Sequence, residues 1–482
     1  MGIVLKQSFK NTVVIFAAFA IGGVNALFLY TRFLTDEYYG LVTYLLSTAN
    51  LLMPLTAFGV HYSIVKFYSS YTSKKEKDKF LSASLLLPLC IALPFGFIGT
   101  LFYEQIGIYL SQENEIIKDF TWVIYLVAVA TAYFEVFYAW AKVHLQSVFG
   151  NVLRELFSRV TVLILLLLVY ADIIEQTEFI YYLTAAYFVR TFLMMGYAFS
   201  LYRPTFTFQF PENYTAVFKY AFYIILAGSA GAILLDIDKV MLPQKKVIEL
   251  AAYYAVAVYI AAVIEAPGRA MAQIVQPLTA KALNENNTTE IASLYKRTSI
   301  NLVLICGLLF LLVNLNIDQL YLLINENYSG GTYVVLMISI AKLYTLFLGN
   351  NGAIISNSKH YKILLPYAVV MAISVYFLND WLIDVYGMNG AALSTLVVIL
   401  IFNTLKLWYV KKKFNMLPFS NKTGLLLLII AGFYGMFYFW NFSFHPIVNI
   451  VLKSTLIAVT YLWIVWKLKI SVEINKILDT YL

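Results

Sequence analysis

Five charged side chains stand inside long apolar runs of this 482-residue chain: Glu135, Arg190, Glu265, Arg269 and Lys342. A charge at the centre of a bilayer costs about 2.5–3.5 kcal/mol on insertion scales. Five such groups are too costly to leave facing lipid, so they should face one another or a wetted cavity. Three are basic and two acidic, and a cavity with surplus positive charge suits an anionic ligand. Arginine offers a planar fork that grips phosphate at two points, and lysine a compact point charge. Arg190, Arg269 and Lys342 are therefore candidate groups for an anionic substrate, with Arg32 at the end of the first apolar run.

The carboxylates Glu135, Glu265 and Asp236, with Asp238 beside the last, could carry protons or Na⁺ or gate a pathway. Nothing in the sequence selects among them. Glu265 and Arg269 are four residues apart, which stacks them on one helical face with Glu on the favourable side. Between them stand Pro267 and Gly268. Proline removes a helix hydrogen bond and crowds the preceding turn. In a membrane such a break survives where protein or water satisfies the freed carbonyl, and broken helices at mid-membrane mark transport sites. The competing reading is a packing kink with a local salt bridge. Asp236 and Lys239 can pair at i,i+3, or they are simply helix-end charges at an aqueous interface. Lys406 and Lys453 lie nearer span ends and are expected to snorkel to the headgroups.

The elements that must position these groups follow from composition. The chain is 61% hydrophobic and 12% charged, against roughly 25% charge in a soluble domain. An ordinary globular enzyme is excluded, and an all-α polytopic membrane protein is implied, because helices satisfy their own backbone in lipid. Cys90 and Cys306 both lie in apolar runs and are expected to be buried, with no disulfide framework. Four isolated histidines give no metal-ligand spacing, and no P-loop, GxSxG or zinc motif is present, so no metal or cofactor is expected. The N-terminal apolar run is too long for a signal peptide and lacks a small-residue cleavage site, so it reads as a retained first span.

Windows of about 20 apolar residues divide the chain into about fourteen spans, near 11–31, 41–65, 80–103, 118–140, 159–171, 179–200, 217–242, 250–275, 298–315, 331–350, 363–379, 388–408, 423–441 and 447–466. With the N-terminus placed in the cytoplasm, 24 of the 34 Lys and Arg fall in cytoplasmic segments and five in outer loops. That asymmetry satisfies the positive-inside rule and predicts cytoplasmic N- and C-termini. The net charge of +8 then describes attraction to anionic inner-leaflet lipid, and a nucleic-acid partner is not indicated.

The organising stretch runs from Asn25 to Tyr68. An apolar run ends at Arg32, a tight polar corner carries Asp36, Glu37 and Gly40, and a second run holds Pro54 and Gly59 before Lys66. The pattern partly restarts near 217, where LLDIDKVML leads into AAYYAVAVYI. These segments resemble polysaccharide and O-antigen flippases of the multidrug/oligosaccharidyl-lipid/polysaccharide (MOP) exporter superfamily. The matching features are the corner from Leu34 to Gly40, the turn and aromatics from Phe58-Gly59 to Phe67-Tyr68, and Asp236, Asp238, Lys239 and Tyr253-Tyr254 in the second half.

The resemblance implies two six-helix lobes in a V shape, residues 1–216 and 217–410, followed by two added membrane helices within 411–482. It implies a non-enzymatic flippase of the bacterial inner membrane. Such a protein moves a polyprenyl-diphosphate-linked oligosaccharide outward by alternating access, coupled to H⁺ or Na⁺, beside polysaccharide assembly proteins. Two other readings stay open. A drug or cation exporter of the same superfamily would favour surplus acid in the cavity. A membrane glycosyltransferase or polymerase could use Asp36-Glu37 as paired carboxylates, but it would usually carry a large outer loop that this chain lacks.

Overall fold

The structure, a computed structural model, describes residues 2–473 and 475. Every regular element among them is helical. Thirteen helices of the described residues are long and apolar enough to cross a membrane. They are α1 (Lys10–Phe33), α2 (Asp36–Ala57), α3 (Lys74–Leu101), α4 (Ile116–Val143), α6 (Gln176–Leu201), α7 (Tyr214–Met241), α8 (Glu249–Asn284), α9 (Thr288–Asn314), α10 (Glu326–Phe347), α11 (Tyr361–Tyr386), α12 (Met388–Phe414), α13 (Asn421–Tyr438) and α14 (Pro446–Lys467). The remaining expected span, at 159–171, is α5 (148–170). Its apolar part, Ser158–Tyr170, has only 13 residues, and the helix is extended at its N-terminal end by Val148–Asn151 and a π-helical Val152–Phe157. Arg154 and Glu155 therefore sit in a helix and not in a loop, which corrects the expected boundary.

The chain divides by its contacts into two compact units, Met1–Ala252 and Tyr253–Leu482. In the first, α4 is the central element, packed on α2 and α6, and α7 packs along α2. The expected corner between the first two spans forms as a capped helical hairpin. Leu34 N–H closes α1 on Tyr30 O, and the Thr35 hydroxyl accepts from Tyr38 N–H at 3.3 Å to cap α2. Asp36 and Glu37 in that first turn oppose the positive end of the helix dipole. Gln176 at the start of α6 accepts from Thr35 N–H at 2.8 Å, which ties the corner to a third helix.

The second expected span, 41–65, is two helices. After α2, Phe58 and Gly59 both take left-handed backbone angles, with φ of 45° and 62°. A short helix, Val60–Phe67, then sets off in a new direction. Only glycine fits comfortably at 59, because a Cβ there would stand 2.6 Å from Ile224 Cγ2 and 2.8 Å from Ala221 O on α7.

In the second unit the core is built on α9, whose Val303, Leu304 and Leu311 pack with Ile430 of α13 and Ile457 and Tyr461 of α14. The Tyr461 hydroxyl donates to Leu304 O at 3.0 Å. Two sequence expectations fail here and in the first unit. Lys453 does not snorkel: it is 1% exposed. Its ammonium donates to Leu315 O at 2.7 Å and Asn441 Oδ1 at 3.0 Å. The C-terminal carbonyls of α9 are a natural seat for a cation. Cys306 is buried as expected, but Cys90 is exposed. It lies on α3, a helix that turns Leu93 and Phe97 outward as well, so its apolar surroundings are those of an outer face and not of a core.

Candidate functional site

The in-span charges gather into one cluster in each unit. In the second unit the cluster sits at an irregular turn of α8. Pro267 has no N–H for Val263 O, its i−4 carbonyl. The helix answers by tightening into a 3₁₀ turn over Val263–Glu265, where Ala266 N–H takes Val263 O. The freed carbonyl is thus satisfied within the chain, and α8 continues without a gap to Asn284.

Around this turn, Glu265 Oε2 receives Lys342 Nζ of α10 at 2.6 Å and Arg269 Nη2 at 3.5 Å. Lys342 stands one helical turn before Leu346, which covers Gly268: a Cβ at 268 would meet Leu346 Cδ2 at 2.2 Å. One face of α10 therefore grips the turn twice, by charge at Lys342 and by contact at Leu346. The Arg269 side chain remains 55% exposed, whereas Glu265 and Lys342 are 34% and 20% exposed. An open pocket of about 410 Å³ adjoins the turn, lined by Pro267, Met271, Arg297 and Asn301 among others. The three charges carry a net +1, and the arginine is the most open of them.

The first unit holds a larger cluster. Glu135 on α4 is nearly buried and faces Arg154 Nη1 at 3.4 Å. Arg154 also approaches Glu155 at 3.9 Å, and Arg159 pairs with Glu155 at 2.7 Å across one helical turn. Arg190 on α6 is 6% exposed. Its guanidinium donates to Ser158 Oγ at 3.1 Å and Thr131 Oγ1 at 3.4 Å, and it lies 4.4 Å and 4.6 Å from the ring centres of Phe134 and Tyr187. Its Nε has no hydrogen-bond partner among the described residues. The cavity it lines holds about 30 Å³, room for one or two waters and far less than a diphosphate needs. Both α1 and α5 carry a π-helical segment, and Asn25, which opens the π-helical Asn25–Leu29, donates from Nδ2 to Arg159 O, just beyond the π-helical Val152–Phe157, at 2.8 Å. Such bulges recur at functional sites.

Sequence reasoning named Glu135 and Arg190 but missed Arg154, Glu155 and Arg159. The signal was present, since Glu155 and Arg159 have i,i+4 spacing. Assigning 154 to a loop hid it. The expected Asp236–Lys239 pair forms at 2.5 Å, and Asn50 of α2 donates to Asp236 at 3.3 Å. Asp238 is buried beside it. Arg32 lies in the last turn of α1 and is engaged with neighbouring groups. No group of three or more potential metal ligands occurs among the described residues.

A family model described as polysaccharide biosynthesis protein matches residues 4–277. No curated protein sequence matches the chain. The fold is similar to a solved structure of the lipid II flippase MurJ in an inward closed conformation, with a TM-score of 0.70 and 14% identity, covering 96% of this chain and 99% of that one. It is also similar to an inward-facing multidrug resistance MATE family transporter of the MOP superfamily, with a TM-score of 0.61 and 12% identity, covering 84% of this chain and 94% of that one. At these identities the likeness is one of fold: a multi-pass membrane protein built as flippases and transporters are.

Proposed function

The chain belongs to the polysaccharide biosynthesis protein family, and from that premise we propose that it is a flippase for a polyprenyl-diphosphate-linked oligosaccharide. It would work without bond chemistry, by alternating access in a bacterial inner membrane with both termini cytoplasmic. Residues 1–216 and 217–410 would be the six-helix bodies, and the two added helices lie within 411–482. The observation that carries the reading is the Glu265–Lys342–Arg269 cluster on the 3₁₀ turn of α8, an irregular backbone segment with a net +1 and an open guanidinium.

A diphosphate brings at least two negative charges, and carrying it through low dielectric without partners is prohibitive. Arg269 supplies a fork for it, and Lys342 a point charge that the phosphate can draw away from Glu265. Glu265 would then be free to take up a proton or Na⁺, which couples ion to substrate. Arg190 has a different part in this account. It is walled in by Phe134, Tyr187 and Ser158, so it acts on the conformation of its own unit with Glu135 and Arg154. In this proposal Arg32 would be a secondary group for the substrate, and Asp236 and Asp238 secondary groups for ion coupling or gating.

The test is a binding competition on the purified protein. A fluorescent polyprenyl-diphosphate oligosaccharide should bind, weaken as salt rises, and be displaced by unlabelled lipid-linked sugar. Arg269→Ala should weaken it strongly. Displacement by lipophilic cations, with the sugar lipid inert, would favour a cation exporter and defeat the proposal.

A further inference from the structure

The linker joining α6 to α7 carries a feature that transport of a headgroup does not use. Residues 202–210 run without helix, and Phe206, Phe208 and Phe210 alternate with Thr207 and Gln209. In extended chain such alternation puts the three rings on one side. Phe206 and Phe208 pack edge to face at 5.1 Å, yet Phe208 is 78% exposed and its two neighbours are more than half exposed.

The strip is fastened at four points. Thr207 N–H donates to Ser82 Oγ at 3.2 Å, and Glu212 N–H to Glu76 at 3.4 Å. The hydroxyls of Tyr202 and Tyr71 donate to Asp78 at 2.7 Å and to Asn213 at 2.5 Å. Beside it runs an apolar groove lined by Ser63, Leu87, Phe210, Pro211, Val217 and Phe218 among others.

The same end of the unit is rich in cations. Lys66, Lys74, Lys75, Lys77, Arg203 and Lys219 have no carboxylate within salt-bridge distance among the described residues, and Lys79 alone pairs, with Glu76. Lys66 Nζ lies 3.7 Å from the ring centre of Tyr220, and Lys77 Nζ 5.5 Å from that of Tyr68.

We propose that this groove binds an anionic glycerophospholipid of the surrounding leaflet, with an acyl chain along the groove beside the phenylalanine strip and the phosphate at Lys66 and Lys219. Charge complementarity selects this occupant. A zwitterionic lipid would leave the lysines uncompensated, and a free phosphate would leave the groove unfilled. The bound lipid would hold the linker where the α6 and α7 ends meet. The inference is independent of what the protein transports.

The experiment is thermal unfolding of the purified full chain in a neutral detergent, titrated with phosphatidylglycerol, phosphatidylcholine, glycerol phosphate or a polyprenyl phosphate. Phosphatidylglycerol should stabilise at lower concentration than the others. In Lys66→Gln/Lys219→Gln its half-saturation should rise about 30-fold, taking the loss as that of two lysines near an anionic surface. Phe206→Ser/Phe208→Ser should weaken both phospholipids together. Lys411→Gln/Lys412→Gln, at a separate basic cluster, should match the wild type. The proposal is overturned if the two phospholipids act alike on the wild type, if glycerol phosphate or polyprenyl phosphate reproduces the effect, or if the Lys411/Lys412 variant loses it equally.

Discussion

Breaking the Glu265–Lys342 contact should cost stability in a pattern that only a coupled triad gives. Unit charges 2.6 Å apart attract by about 6 kcal/mol at an effective dielectric near 20, before desolvation is charged against them. Removing one partner of a fully buried pair costs about 3–5 kcal/mol. Here Glu265 is about one-third exposed, so water takes up part of that loss and about 2 kcal/mol is expected for Glu265→Gln. That variant leaves Lys342 and Arg269 facing each other with no carboxylate between them. Lys342→Met should cost less, about 1 kcal/mol, because Arg269 stands 3.5 Å from Glu265 and can close on it. The double variant should fall short of the sum by about 1 kcal/mol or more, since the two changes remove one interaction. In nanodisc thermal unfolding, about 2 kcal/mol corresponds to roughly 4–8 °C for a unit of this length. Single variants within a degree of wild type, or strictly additive losses, would refute the coupled triad and leave the α8 turn as a packing kink.

Further outcomes follow from other contacts. Gly59→Ala forces a side chain into a left-handed backbone and against Ile224 and Ala221; a loss of about 2 kcal/mol or more is expected, read as a lower unfolding temperature. Gly268→Val should displace Leu346 and cost about 1–3 kcal/mol, and it should reduce transport more than Gly268→Ala does. Burial would raise the Glu473 pKa, but its own backbone N–H, Arg297 and Asn301 outweigh burial and hold it below the usual carboxylate range. A depressed carboxylate stabilises above its unfolded pKa. This contribution should be complete at neutral pH and fade below about pH 4, and Glu473→Gln should flatten that acid limb. Reporter fusions after Lys413 and after Glu113 should read cytoplasm and outside respectively, and the reverse result would overturn the topology.

Much of the fold was legible because bilayer spans announce themselves by length and apolarity. The corner at Leu34–Gly40 was readable as a hairpin from two apolar runs joined by a short polar corner, and Thr35 and Gln176 supply the details that sequence could not. What stayed hidden was mostly tertiary. Glu265 and Arg269 are neighbours by helical arithmetic, but Lys342 reaches Glu265 across 77 residues, and no local spacing encodes that. Lys453 read as a snorkelling lysine because its partners, Leu315 O and Asn441, lie on other segments. Cys90 read as buried because apolarity in a membrane helix marks lipid and core alike. The break at Pro267 was anticipated, but its form was not. The helix spends one 3₁₀ turn and continues, so any hinge there begins from an intact backbone.

The most direct measurement is transbilayer movement of a fluorescent polyprenyl-diphosphate oligosaccharide in proteoliposomes, scored by quenching of the outer leaflet. The account predicts movement that requires the wild-type protein, is abolished in Arg269→Ala and Glu265→Gln, and survives in part in Arg269→Lys. Movement at wild-type rates in both Arg269→Ala and Glu265→Gln, with the proteins correctly folded, would contradict it.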